Sequence, residues 1–175
     1  MRFSPIANLM GWTLTVVSIP MFFIGLSTFL LQDDATEYFI RSFLIPVILG
    51  LVTGLTMIIK TRKSFDQEDG VRDREAVTSV ALGWLIVIFF GGMPYWLGGM
   101  FHGPFSYMDG TSSLSEVSLG LLHSWFESMS GFTTTGATVI DPLSSPICVG
   151  VTDCIGSQPK SLLLWRSTTQ WLGGM

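Results

Sequence analysis

The stretch Ser124-Trp-Phe-Glu-Ser-Met-Ser-Gly-Phe-Thr-Thr-Thr-Gly-Ala-Thr138 decides how this chain is read. Ahead of and within it, Val117, Leu121, Trp125 and Met129 recur every four residues, a helical period. Helix from 117 to 132 runs about 24 Å at 1.5 Å per residue, short of the roughly 30 Å hydrocarbon core. The segment also carries Glu116, His123 and Glu127, so a re-entrant pore helix over 116–132 fits better than a span. Thr133-Thr134-Thr135-Gly136-Ala137-Thr138 then breaks the period. Irregular backbone at membrane depth survives only where it is buried in protein or lines a water-filled path. Successive carbonyls there can replace the water around a cation. Gly136 reaches backbone angles that other residues avoid, and the threonines add hydroxyl oxygens to a stiff extended run. The negative end of the preceding helix, near Gly131 and Phe132, points to the same place.

The surroundings are those of a membrane. Of the 175 residues, 48 % are hydrophobic and 13 % charged, where a soluble domain carries roughly 25 % charge. Residues 3–32, 42–59 and 76–108 hold no charge, and runs of this length cross a bilayer. The first contains Pro20, a kink that lipid-embedded helices tolerate. The second contains Gly50-Leu-Val-Thr-Gly54, a spacing that lets two helix backbones approach closely. The third ends in Pro94-Tyr95-Trp96, an aromatic anchor expected at the outer interface.

Five of the nine basic residues, Lys60, Arg62, Lys63, Arg72 and Arg74, lie between the second and third runs, while Asp33, Asp34 and Glu37 fill the first connection. The basic loop is expected in the cytoplasm, and with two spans before it the N-terminus and Arg2 as well. A cleaved signal peptide is the competing reading of the start, but the apolar run is long and no clean small-residue cleavage site follows. Asp66, Glu68, Asp69, Asp73 and Glu75 balance the bases of 60–76, so this is a solvated loop and not a nucleic-acid site.

After the Thr/Gly run, 141–160 reads as an external loop and 161–175 as a returning helix, about 22 Å long, that looks cut short. Cys148 and Cys154 lie in the external loop, where an oxidising compartment allows a disulfide. His102 and His123 are distant from them in sequence, and no CxxC is present, which argues against zinc. Charge at membrane depth is expensive and usually paired. Glu127 and Arg166 are therefore expected to brace the pore helix against the returning helix; the alternative is that both reach water at the outer interface. Asp109 and Glu116 read as outer-mouth or helix-start acids rather than ion ligands.

Span, re-entrant helix, Thr/Gly segment and returning helix make a membrane–pore–membrane unit. The 124–138 stretch, with Leu163-Leu-Trp-Arg-Ser-Thr-Thr-Gln-Trp-Leu-Gly-Gly-Met175, resembles the Trk/Ktr/HKT potassium transporters, most closely their TrkH-type membrane subunit. The two leading spans match the helix pair such subunits carry before their first repeat. The fold implied is all-α and integral to the membrane. Its parts are two leading helices (1–59), a cytoplasmic charged loop (60–76) and a first pore repeat (77–175) with its span at 77–97 and filter at 133–138.

The resemblance implies potassium uptake across a bacterial inner membrane, with no catalysed reaction and no cofactor. The ion would be held by Thr133, Thr134, Thr135 and Gly136, chiefly by Thr134 and Thr135. It also implies a homodimer and a cytosolic nucleotide-binding regulator of TrkA type. One incomplete pore unit stands where the family has four, so a non-conducting fragment or an assembly module is the alternative. Sodium co-transport is left open by a single filter segment. An intramembrane enzyme built on Ser128, Ser130 and His123 lacks G-x-S-x-G, H-E-x-x-H and paired membrane aspartates.

Overall fold

In the computed structural model the described residues are 3–31, 36–66 and 72–175. Arg2, Asp33, Asp34, Glu68 and Asp69 lie outside them, as do the side chains of Lys63 and Asp66. The elements are α1 (Phe3–Leu31), α2 (Thr36–Phe39), a π-helical turn (Ile40–Leu44), α3 (Ile45–Asp66), α4 (Asp73–Leu97), α5 (Pro104–Met108), α6 (Leu114–Phe132), a 3-10 turn (Pro146–Cys148) and α7 (Lys160–Gly174). Among the described residues there is no strand.

Among the described residues three helical stretches are long and apolar enough to cross a membrane: Phe3–Leu30, Thr36–Arg62 and Asp73–Leu97. At 1.5 Å per residue they run roughly 37 to 42 Å, more than a hydrocarbon core. Their outward faces are apolar too; Trp12, Phe23, Val52, Ile59, Val77 and Leu85 are all exposed. A helix that is apolar all round suits a lipid surround.

Helices α1 and α3 pack at backbone distance because glycines face each other. A Cβ on Gly54 would lie 2.8 Å from the Gly11 carbonyl oxygen, one on Gly11 2.6 Å from that of Gly54, and one on Gly50 2.7 Å from Ser18 Oγ. Both glycines of the Gly50/Gly54 spacing thus turn toward α1.

The element boundaries differ from the sequence expectation at the charged loop. Helix α3 continues through Lys60 and Arg62 to Asp66, and α4 opens at Asp73. Lys and Arg are good helix formers where their heads reach water, and both are exposed here. Glu75 stabilises the start of α4 by accepting from the Arg72 backbone N–H at 3.2 Å. The aromatic anchor also falls differently. Tyr95 is wholly buried rather than interfacial, because α4 packs this face against α6. Trp96 ties the same two helices, its Nε1 donating to the Val117 carbonyl at 3.2 Å.

The core lies where α4, α6 and α7 meet the C-terminal half of α1 and the π-helical turn. Phe43, Tyr95, Met100, Phe101, Cys148, Leu162 and Trp165 are fully buried in it. Trp165 Nε1 donates to the Gly91 carbonyl at 2.9 Å, fixing α7 against α4. Close contacts also set α7 against α6. A Cβ on Gly131 would sit 2.2 Å from Thr169 Oγ1, and one on Gly173 only 2.0 Å from the Phe132 carbonyl oxygen.

Candidate functional site

Helix α6 starts with a reciprocal cap. Ser113 Oγ accepts from the Glu116 N–H at 3.3 Å, and Glu116 Oε2 accepts from the Ser113 N–H at 2.7 Å. The backbone N–H of Ser113, followed by its hydroxyl, holds the exposed Glu116 carboxyl below the ordinary carboxylate range. Glu116 is therefore a helix-start acid.

At the other end, α6 closes by folding the next residues back onto its last turn. Thr133 N–H donates to Met129 O at 2.9 Å, Thr134 N–H to Gly131 O at 2.9 Å, and Thr135 N–H to Ser130 O at 3.0 Å. This wrap needs left-handed backbone at Thr134 (φ 56°) and Gly136 (φ 73°). Glycine accepts that conformation freely; a β-branched threonine does not. A Cβ on Gly136 would meet nothing nearer than Gln170 Nε2 at 3.9 Å, so the requirement there is conformational rather than steric.

The 136–139 run is then suspended from side chains. Ser130 Oγ donates to the Ala137 carbonyl at 2.6 Å. Glu127 Oε1 accepts from the Val139 N–H at 2.8 Å and from Thr138 Oγ1 at 2.5 Å. Glu127 Oε2 accepts from Arg166 Nε at 3.0 Å, and Arg166 Nη2 donates to the Gly136 carbonyl at 3.4 Å. Glu127 is 0 % exposed and the Arg166 side chain 18 %, so the structure brings these two charges together behind the segment. Thr133 Oγ1 donates to Met129 O at 2.8 Å and therefore accepts from Thr135 Oγ1, also at 2.8 Å.

Thr133 through Thr138 are all exposed along one flank of the chain. Gly136 and Ala137 direct their carbonyls inward to Arg166 and Ser130. Among the described residues no donor reaches the carbonyls of Thr134 or Thr135. An oxygen-rich, uncharged surface at the negative end of a helix suits a partly dehydrated cation.

Cys148 and Cys154 form a disulfide in the loop between the segment and α7, their Cα atoms 4.8 Å apart. His102 Nδ1 pairs with Ser112 Oγ at 2.7 Å, and the His123 ring stacks obliquely near Phe101 at 5.5 Å. Among the described residues no three His, Cys, Asp or Glu side chains gather as a metal site. Ser130, Thr138 and Ser144 support the segment without having been expected to. Only Ser130 and Thr138 lay inside the quoted stretch, and nothing in their spacing reveals a tertiary partner.

No family model matches the chain, and no solved structure does. Curated proteins do. The chain is 30 % identical over 172 residues to the Trk system potassium uptake protein TrkH of Halomonas elongata, covering 97 % of this chain and 28 % of that protein. It is 27 % identical over all 175 residues to TrkH of Escherichia coli K12, 29 % of that protein. An uncharacterized cation transporter of Methanocaldococcus jannaschii is 30 % identical over 134 residues, 77 % of this chain and 21 % of that protein. The chain belongs with the TrkH-type proteins of the Trk family. It spans less than a third of the length of these relatives. As a TrkH-type chain with three helices able to cross a bilayer, it is a multi-pass membrane protein of a transport family rather than an enzyme family.

Proposed function

We propose that this TrkH-type chain supplies one wall of a potassium pathway. In this reading α6 is a re-entrant pore helix and 133–138 a filter segment, with Thr134 and Thr135 as the principal ion ligands and Thr133 and Gly136 completing the set. The observation that carries it is the pair of Thr134 and Thr135 carbonyls, which take no donor among the described residues and stand on an exposed flank at the C-terminal end of α6. The names of the relatives support potassium as the ion, and uptake as the direction of transport. Lys60, Arg62, Arg72 and Arg74 at the facing ends of α3 and α4 support a cytoplasmic loop there and a cytoplasmic N-terminus. The bacterial inner membrane, a homodimer and a cytosolic TrkA-type regulator complete the proposal by family resemblance.

The exposed flank also favours a second reading of these 175 residues taken alone. An ion must be surrounded, and one segment open on a side surrounds nothing, so the unit by itself acts as an assembly module. Expression in a potassium-transport-deficient bacterial strain, as these 175 residues or from the complete gene, tests both. Growth at low potassium with the complete gene only, lost on Gly136→Asp, supports the pathway and the module reading. Growth with the 175 residues sinks the module reading. No growth with the complete gene, despite verified membrane insertion, sinks the potassium reading.

A further inference from the structure

Val139 is held from both sides. Its N–H donates to Glu127 Oε1 inside the helix bundle, and its carbonyl accepts from Ser144 Oγ of the outer loop. Ser144 is itself built into a tight turn: Asp141 Oδ1 accepts from the N–H groups of Leu143 and Ser144, both at 2.8 Å, and the Asp141 N–H donates to Ser144 Oγ at 3.0 Å. One residue further on, Ser145 accepts from Gln158 Nε2 at 3.1 Å. Gln158 is 2 % exposed and donates the same amide to the Cys154 carbonyl at 3.2 Å. The loop is thus closed twice, by the Gln158 amide and by the Cys148–Cys154 bond.

This closure is anchored in the core behind the Thr/Gly segment. Cys148 is wholly buried in the cluster that contains Ile140, Leu162 and Trp165, while Cys154 packs against it half-buried. Between the two cysteines the chain has little else to hold it. Val149, Val151 and Asp153 are exposed, and Gly150 takes a left-handed turn (φ 77°). Opening the bond leaves Gln158 as the remaining tie between the two arms of the loop, with Ser144 and Val139 directly upstream.

We propose that the Cys148–Cys154 bond is a latch positioning the outer end of the Thr133–Thr138 segment, so that an extracellular thiol opening it loosens the discrimination of potassium from sodium. The proposal rests on the pathway reading above. The step is thiol–disulfide exchange. A thiolate attacks Cys154 Sγ, the half-buried sulfur, forming a mixed disulfide while the Cys148–Cys154 bond breaks. The bonding pair leaves with Cys148 as thiolate, which takes a proton, and a second thiol releases Cys154 as the small-molecule disulfide forms. Cys148 and Cys154 act here through Ser145, Ser144 and Val139. They are positioning residues and touch no ion.

The test uses the full-length protein in vesicles with its outer face exposed, rubidium and sodium uptake as the readout, and a membrane-impermeant thiol as the reductant. Maleimide labelling reports whether both cysteines have been freed. Reduction should lower the rubidium-to-sodium uptake ratio by about threefold or more, a size typical of coupling through packed neighbours. Cys148→Ser/Cys154→Ser should start at the lowered ratio and ignore the reductant, and Gln158→Ala with the bond intact should move it the same way. A ratio that stays unchanged with both thiols labelled overturns the latch. So does a wild-type ratio in protein whose cysteines label before any reductant is added. Absence of rubidium uptake by the oxidised protein overturns the pathway reading itself and the latch with it.

Discussion

Arg166 Nε lies 3.0 Å from Glu127 Oε2, and the other carboxylate oxygen of Glu127 takes the Val139 N–H and the Thr138 hydroxyl. The arginine then reaches past the carboxylate to the Gly136 carbonyl. One buried acid on α6 and one cation on α7 therefore hold both ends of the 136–139 run. A buried charge pair contributes little net stability against an apolar replacement, yet losing one partner is expensive. The pair is best understood as geometry for the segment rather than as a source of stability.

Removing the acceptor outright should hurt more than neutralising it. Glu127→Ala leaves the Val139 N–H and Arg166 without their buried partner, at a cost of about 3–5 kcal/mol, and folded yield in the membrane should collapse. Glu127→Gln keeps one acceptor oxygen for Val139 and should fold in reduced yield with weakened uptake. The charge swap Glu127→Arg with Arg166→Glu should recover folded protein relative to either single change, though not transport, since arginine cannot accept from Val139. Fluorescence-detected size exclusion and rubidium uptake on the same preparations separate the two outcomes; equal yields for Glu127→Ala and Glu127→Gln would count against this assignment.

Glycine positions offer a contrast between close packing and an open cavity, which Gly83 lines although it is buried. On Gly173 a Cβ would stand 2.0 Å from the Phe132 carbonyl oxygen, a backbone atom that cannot rotate away, whereas on Gly83 it would meet nothing within 4 Å. Gly173→Ala should lower the melting temperature through about 1–3 kcal/mol of overpacking. Gly83→Ala should be silent or slightly stabilising, because alanine is the better helix former. Thermal melts of the detergent-solubilised full-length protein check the pair.

Much of this arrangement could be read from residue pattern alone, and the remainder has physical reasons for staying hidden. The charge-free runs mark the three crossing helices because desolvating charge dominates every other term in lipid. The four-residue period of Val117, Leu121, Trp125 and Met129 marks α6, and the Gly50/Gly54 spacing marks a face that turns to α1. Glu127 and Arg166 invited pairing because each alone is costly at that depth. The π-helical turn at Ile40–Leu44 gives no such signal, since its residues are ordinary helix and strand formers. Tyr95 looked interfacial because an aromatic at a span end usually is; only packing against α6 and α7 shows it buried. The left-handed Thr134 runs against its own propensity, so no local rule could propose it, and the Ser144–Val139 contact joins residues whose partners are set by a loop.

Acid should erode the turns capped by Glu116 and Asp141 in a defined window. Glu116 is held below the ordinary carboxylate range by the N–H and hydroxyl of Ser113, and Asp141 by the N–H groups of Ser144 and Leu143. A folded pKa below the unfolded one contributes stability that is complete above the ordinary value, about 4. It is lost progressively as pH falls through that value to the depressed one. Melting temperature should therefore hold steady from neutral pH toward about 4 for these two groups and decline below it. Glu116→Gln with Asp141→Asn should start lower at neutral pH and show a shallower acid decline; an unchanged slope would detach these carboxylates from it.

Thr134 and Gly136 share the left-handed region but not the cost of it. For an L-residue with a Cβ that conformation costs roughly 1–2 kcal/mol, and Thr134 carries this load while Gly136 does not. Gly136→Ala should accordingly destabilise, even though its Cβ would meet no atom closer than 3.9 Å. Thr134→Gly removes the strain and gives back roughly 0.5–1 kcal/mol in unfolded-chain entropy, so its melting temperature should be close to wild type or above it. If strain at Thr134 aims its carbonyl outward, relieving it should leave stability intact while potassium-over-sodium uptake falls. A Thr134→Gly protein that is both stable and fully selective would show that the carbonyl direction is set by the Ser130, Glu127 and Arg166 supports alone.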